Sequence, residues 1–170
     1  RKIAVNPASS AVFSRVVWST ALAVVILDQV TKAVAVVVLE HEPPIALLGN
    51  FLQLSFARNP GAAFSFGTSA TWLFTLIAMS ASVLIIRLTP RVASQSWAII
   101  FGCVLGGAVG NLIDRIFRSP GVLRGHVVDF IQLPHYPMFN IADSAISCAA
   151  VAGIVLTLRS VPPLREKISS

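Results

Sequence analysis

Asp28, Asp114, Asp129 and Asp143 are the four aspartates of a 170-residue chain, and each lies in or against a strongly apolar segment. An ionised carboxylate is expensive near hydrocarbon, so acidic side chains there face a bundle interior or a water-filled cavity and mark functional sites. Two aspartates a few ångströms apart have a definite use. Both cannot ionise easily, so one keeps a proton while the other stays charged. The charged member can take a proton from water as that water attacks a carbonyl. The neutral member can steady the oxyanion and then protonate a leaving amine. Such a pair titrates as a unit.

Membrane-spanning helices are the elements able to position these groups. The chain is 55% hydrophobic and only 12% charged, with a mean hydropathy of +0.80; soluble domains carry about twice that charged fraction. Length alone suggests one domain over 1–170. Four segments meet the requirement of about 20 mostly apolar residues, at about 16–39, 72–88, 97–115 and 140–158. The first exceeds a signal-peptide core and is interrupted by Asp28 and Lys32, so it is expected to be a retained helix. The expected fold is therefore an all-α membrane protein of four transmembrane helices, with a small extracytoplasmic β-sheet or cradle between helices 1 and 2. In that connection residues 52–56 alternate apolar and polar, a strand signal, and Asn59-Pro60-Gly61 reads as a turn. Val127–Ile131 is expected to be extended, with a turn at Pro120-Gly121 before it.

Orientation follows from the basic residues. Arg1, Lys2, Arg15, Arg87, Arg91, Arg159, Arg165 and Lys167 fall on one side, and Arg58, Arg115, Arg118 and Arg124 on the other. The positive-inside rule puts both termini in the cytoplasm. Asp114, Asp129 and Asp143 then gather at the extracytoplasmic surface. The net charge of +6 forms no basic stripe with interleaved aromatics, so membrane lipids rather than nucleic acid are the expected partners. Cys103 and Cys148 lie inside apolar segments and read as small buried hydrophobes.

Spacing narrows the roles. Asp28 and Lys32 are four apart and share a helix face, as an ion pair or as a brace for a neighbouring element. Gly102, Gly106 and Gly110 form a small-residue stripe for close helix contact, and the same spacing reaches Asp114. Asn111 lies one turn before Asp114 and Arg115. Asp114 sits where the macrodipole disfavours an acid and needs a cationic or amide partner. Asn140 and Asp143 resemble a capping box. Asp129 needs no cap; its alternative role is a pair with Arg115, Arg118 or Arg124. Ser65 and Ser144 lack a nucleophile-elbow motif, and His126 and His135 show neither a triad pattern nor zinc-ligand spacing.

Five stretches resemble the lipoprotein signal peptidase (signal peptidase II) family, in order: Asp28–Lys32, Asn59–Phe64, Gly106–Arg115, Val127–Phe130 and Phe139–Asp143. The resemblance implies a bacterial membrane aspartyl endopeptidase that removes the signal peptide from diacylglyceryl-modified prolipoproteins, just before the lipidated cysteine. It selects Asp129 and Asp143 as the catalytic pair. It assigns Asp28, Lys32, Asn59, Gly61, Asn111, Asp114, Arg115, Phe139, Asn140 and Ala142 to substrate contact or support, and the 59–66 segment to the substrate-binding surface. It implies a monomer in the inner membrane, with no metal and no cofactor. Two intervals depart from the family form: Arg115 to Asp129 is longer, with Arg118-Ser119-Pro120-Gly121 inserted near its middle, and Asp129 to Asp143 is shorter. The competing reading from another class is a proton-coupled transporter or channel, in which aspartates would be spread across the bilayer depth. A purely structural membrane scaffold is a third reading, in which the aspartates would be replaceable.

Overall fold

The computed structural model of the chain describes residues 7–61 and 71–165. Four helices, α1 (Pro7–Leu39), α2 (Thr71–Leu88), α3 (Gln95–Phe117) and α4 (Ile141–Leu158), alternate with three strands, β1 (Ile45–Leu48), β2 (Leu52–Asn59) and β3 (Val127–Gln132). All four helices are long and apolar enough to cross a membrane. Their bounds follow the apolar segments closely, except that α1 begins nine residues before the expected position 16. Arg15 limits the apolar run but not the helix, because a charged side chain leaves the backbone hydrogen-bond ladder intact. The early turns dock through Ser10, whose hydroxyl donates to the Pro90 carbonyl at 2.8 Å.

Helix α3 is the central element, packing against α1, α2 and α4. Lipid tails are as apolar as leucine, so helix association here relies on close packing rather than on escape from water. The glycine stripe supplies that closeness. A Cβ on Gly102 would lie 2.8 Å from the Val17 carbonyl, one on Gly106 2.7 Å from the Ala21 carbonyl, and one on Gly110 2.7 Å from Asp28 Oδ2. The stripe therefore brings α1 against α3 along its length and delivers Asp28 to the end of it. Gly107, on another face, would meet the Ala142 carbonyl at 2.6 Å and admits the start of α4. Val17, Ala21, Trp97, Leu105 and Ala149 fill the core between these helices.

The sheet is antiparallel in the order β1-β2-β3. Its first two strands lie between α1 and α2 as expected. The third comes from the α3–α4 connection, pairing Asn59 with Val127 and Ala57 with Asp129. Local pattern could not join them, because pairing across about 70 residues leaves no trace in either segment alone. Strand β1 carried no signal either: Ile-Ala-Leu-Leu does not alternate, and all four residues are exposed. Val128 and Phe130 pack on Ala35 and Leu39 of α1, which fixes β3 over the end of that helix.

The connection after α3 folds back on the helix end. Gly125 N–H donates to the Arg115 carbonyl at 3.0 Å and His126 N–H to the Ser119 carbonyl at 2.9 Å. Thr75 of α2 donates its hydroxyl to the Leu123 carbonyl at 3.0 Å. The two cysteines depart from expectation, since Cys103 is half-buried and Cys148 exposed on α4. A thiol is apolar enough to face lipid as readily as a core.

Candidate active site

Asp143 is the third residue of α4, and the capping box is formed: Asn140 Oδ1 accepts from Asp143 N–H at 3.0 Å, and Asp143 Oδ2 from Asn140 N–H at 3.2 Å. Capping does not use up this carboxylate. Asp143 Oδ1 accepts from Asn111 Nδ2 at 2.9 Å, and the residue lines a cavity of about 370 Å³. Asp129 projects from the middle of β3 and is buried. Asn59 Nδ2 donates to its Oδ2 at 2.8 Å and Asn140 Nδ2 to its Oδ1 at 2.7 Å. None of Arg115, Arg118 and Arg124 forms an ion pair with Asp129 among the described residues, so that alternative is overturned: Arg118 is taken by Asp114, and Arg115 by backbone carbonyls. Asn140 touches both aspartates, which makes it the hinge of the pair.

A buried ion network lies under this pair. Lys32 Nζ sits 2.7 Å from Asp28 Oδ2 and 2.9 Å from Asp114 Oδ2, with all three side chains fully buried. It also donates to Asn111 Oδ1 at 3.0 Å. That contact settles which way the Asn111 amide faces: its oxygen meets the ammonium, leaving its NH₂ for Asp143. Asp28 Oδ1 accepts from Ala142 N–H at 2.9 Å, so the α1 pair is both an ion pair and a brace for the start of α4. Asp114 has the cationic partners its helix-end position demands, Lys32 and Arg118.

Arg115 is buried at the end of α3 and donates to the carbonyls of Asn59 at 3.2 Å and Gly125 at 3.1 Å. It thereby joins the β2 end, the loop after α3 and the cavity wall. Gly61 takes φ +104°, a conformation open mainly to glycine, and a Cβ there would lie 2.9 Å from the Phe74 ring. Its N–H donates to Asn59 Oδ1 at 2.7 Å, which orients the Asn59 NH₂ toward Asp129. Phe139 acts through its backbone, exchanging hydrogen bonds with Ile131 at 2.9 and 3.1 Å, and so sets Asn140 beside β3. The cavity runs from Asn111 and Asp143 between α2, α3 and α4 past Ile77, Ala78, Val104 and Ile146. It is an apolar groove ending at a carboxylate.

Burial pushes the Asp129 carboxyl up to about 6, and the neighbouring Asp143 charge adds to the rise, against the lowering by Asn59, Asn140 and Lys32. Burial holds the His126 imidazole below the usual histidine range, and the Arg115 and Arg58 cations push the same way. Among the described residues no three of His, Cys, Asp and Glu converge to hold a metal ion. Ser144 is tied back to the Asn140 carbonyl at 2.9 Å. Ser65 and residues 62–66 of the expected substrate surface lie outside the described residues.

Every other expected site residue takes part in one connected assembly. Three participants escaped notice. Gln29 donates to Asp28 Oδ2 and the Gly110 carbonyl, both at 3.1 Å. Thr71 donates its hydroxyl to the Pro60 carbonyl. Arg118 pairs with Asp114 at 2.7 Å; its i+4 position from Asp114 was the available signal, the same spacing that linked Asp28 to Lys32.

Four helices of spanning length carry buried polar machinery at one end, the architecture of a membrane-embedded protein with a built site. The fold agrees. It matches a bacterial membrane enzyme with a TM-score of 0.73 and 27% identity, covering 89% of this chain and 91% of that one. It matches a second bacterial membrane enzyme with a TM-score of 0.72 and 29% identity, over 82% and 90%. The chain belongs to the signal peptidase II family, whose model matches residues 20–159, and is thus a protease. It is 48% identical over 136 residues to a lipoprotein signal peptidase of Rhodococcus jostii, covering 80% of this chain and 69% of that protein. To those of Streptomyces coelicolor and Mycobacterium tuberculosis it is 47% identical over 148 residues (87% and 72%) and 44% identical over 144 residues (85% and 71%).

Proposed function

We propose that this chain is an aspartic endopeptidase that cleaves the signal peptide from diacylglyceryl-modified bacterial prolipoproteins, just before the lipidated cysteine, using Asp129 and Asp143. The observation that carries the reading is Asn140, whose side-chain NH₂ holds the buried Asp129 carboxylate, raised to about 6, and whose backbone N–H holds the Asp143 carboxylate. A carboxyl near that value can exchange a proton at neutral pH. The apolar groove ending at Asp143 suits a substrate whose signal helix and acyl chains stay in lipid while its scissile bond reaches the interface.

In the reaction the ionised member of the pair removes a proton from a water whose oxygen bonds to the scissile carbonyl carbon. The protonated member donates to the carbonyl oxygen. As the tetrahedral centre collapses the C–N bond breaks, the nitrogen takes a proton, and a free carboxyl and a free amine result. Asn111 holds Asp143 by Oδ1 and Asn59 holds Asp129 by Oδ2, and Arg115 fixes the turn over the groove. The enzyme works as a monomer in the inner membrane, with both termini cytoplasmic and the pair at the extracytoplasmic face. The distribution of arginines and lysines supports that orientation. A transporter would spread its titratable groups through the bilayer depth, whereas Asp28, Asp114, Asp129 and Asp143 join one network.

Purified protein incubated with a diacylated prolipoprotein tests this. Wild type releases the signal peptide, while Asp129→Asn and Asp143→Asn each lose cleavage by at least about a thousandfold and remain folded. Full activity in either variant removes that aspartate from the mechanism.

A further inference from the structure

One ammonium, Lys32, serves two buried carboxylates, Asp28 and Asp114. Arg118 supplies the second cation. Its Nε lies 2.7 Å from Asp114 Oδ1, and it is the one partly exposed member of the cluster, 23% exposed against 0% for Asp114. The other Asp114 oxygen accepts from the N–H of Val128 at 3.2 Å. Val128 immediately precedes Asp129 in β3, and its carbonyl accepts from Asn140 Nδ2 at 3.3 Å. Asp114 is therefore clamped on Oδ1 by a guanidinium, while Oδ2 meets Lys32 and also holds the strand beside Asp129.

We propose that Arg118 is a positioning residue for the reaction, acting through Asp114 and the Val128 N–H on the placement of Asp129. The inference rests on the assignment of Asp129 to the catalytic pair. Without the guanidinium, Asp114 Oδ1 loses its cation and only Lys32, which already meets Oδ2 beside the Val128 N–H, is left to fix the carboxylate, so it rotates and Oδ2 leaves Val128. A strand freed at that point lets Asp129 drift, and a displacement of about 1 Å can cost a hundredfold in rate. Arg118 opens the connection after α3. That connection starts from a residue bonded at both its N–H and its side chain to Asp114. A helix-end cation acting on the macrodipole alone would stabilise α3 without touching the rate.

Steady-state cleavage of a diacylated prolipopeptide by the full chain in detergent is the test, with Arg118→Met, Arg118→Lys and Asp129→Asn run together and their melting temperatures measured. Arg118→Met is expected to lose roughly 10- to 100-fold in kcat with KM within about twofold of wild type. Arg118→Lys, which keeps a cation four residues from Asp114, recovers most of the rate. If Arg118→Met does not fold, Arg118→Gln takes its place. A wild-type kcat in the uncharged variant, a loss carried by KM, or an Arg118→Lys variant as slow as Arg118→Met overturns the proposal. An inactive Asp129→Asn beside a wild-type Arg118→Met overturns only the role of Arg118. An active Asp129→Asn overturns the dyad itself.

Discussion

Asp129 should make this protein more stable in mild acid, the reverse of the usual behaviour of a folded chain. Its carboxyl stands at 3.8 when free and at about 6 in the fold, chiefly because burial penalises the charged form. The folded state therefore binds this proton more tightly than the unfolded chain does. The resulting stabilisation is fully present below pH 3.8 and is lost as pH rises through about 6. The whole interval corresponds to about 3 kcal/mol, of which about 2 is in place by pH 4.5 and almost none at pH 7. For a chain of this size each kcal/mol moves the melting temperature by about 2–4 °C, so the expected gain is about 4–8 °C.

Other carboxylates titrate over the same range, so the measurement is a difference. Wild type and Asp129→Asn are melted in one detergent from pH 4.5 to 7.5, and the gap between their melting temperatures is plotted against pH. Asparagine cannot titrate, so the gap should move in favour of wild type by several degrees on acidification, setting in as pH falls through about 6 and still growing at pH 4.5. Parallel curves, or a gap moving against wild type in acid, would refute the claim that burial raises this carboxyl.

Two further substitutions probe the supports. Lys32→Met leaves the buried Asp28 and Asp114 short of a cation and should cost about 3–5 kcal/mol, measured by urea or thermal unfolding; adding Asp28→Asn should recover part, because the amide oxygen still accepts from Ala142 N–H. Gly106→Ala puts a Cβ 2.7 Å from the Ala21 carbonyl, forcing α1 from α3 at a cost of about 1–3 kcal/mol, and an unchanged melting temperature would show that the two helices can part freely.

Hydropathy made the four helices legible because hydrocarbon leaves no choice: about 20 apolar residues must close their own backbone bonds. The Asp28–Lys32 pair, the glycine stripe and the Asn140–Asp143 cap were legible too, since each lies within one helix and obeys its spacing. What stayed hidden joins segments far apart. Asn59 reaches Asp129 across 70 residues and Ala142 reaches Asp28 across 114, and no local pattern records either. Asp129 is the instructive case. Its apolar flanks left an arginine pair open as the alternative to a catalytic role, whereas two asparagines hold it. Amide donors satisfy both oxygens without the full charge that would pull its pKa far down.

The choice between capping and chemistry for Asp143 dissolves once the end of α4 is considered in its setting. A helix that starts at a membrane surface has orphan N–H groups that need acceptors. Here Asn140 Oδ1 takes the Asp143 N–H and Asp28 the Ala142 N–H. The side chain that caps the helix also has an NH₂ to spare, and that group holds Asp129. Capping thus sets the distance from α4 to β3, and through it the relation of the two aspartates. Any residue at 140 that caps only through a hydroxyl, such as serine, would keep the helix start but leave Asp129 held by Asn59 alone. Asn140→Ser should then lower the melting temperature by about 6–12 °C, for a cap exchange worth under about 1 kcal/mol plus the lost amide hydrogen bonds to Asp129 and the Val128 carbonyl at about 1 kcal/mol each, while cleavage by the folded variant falls by far more than that loss of stability explains.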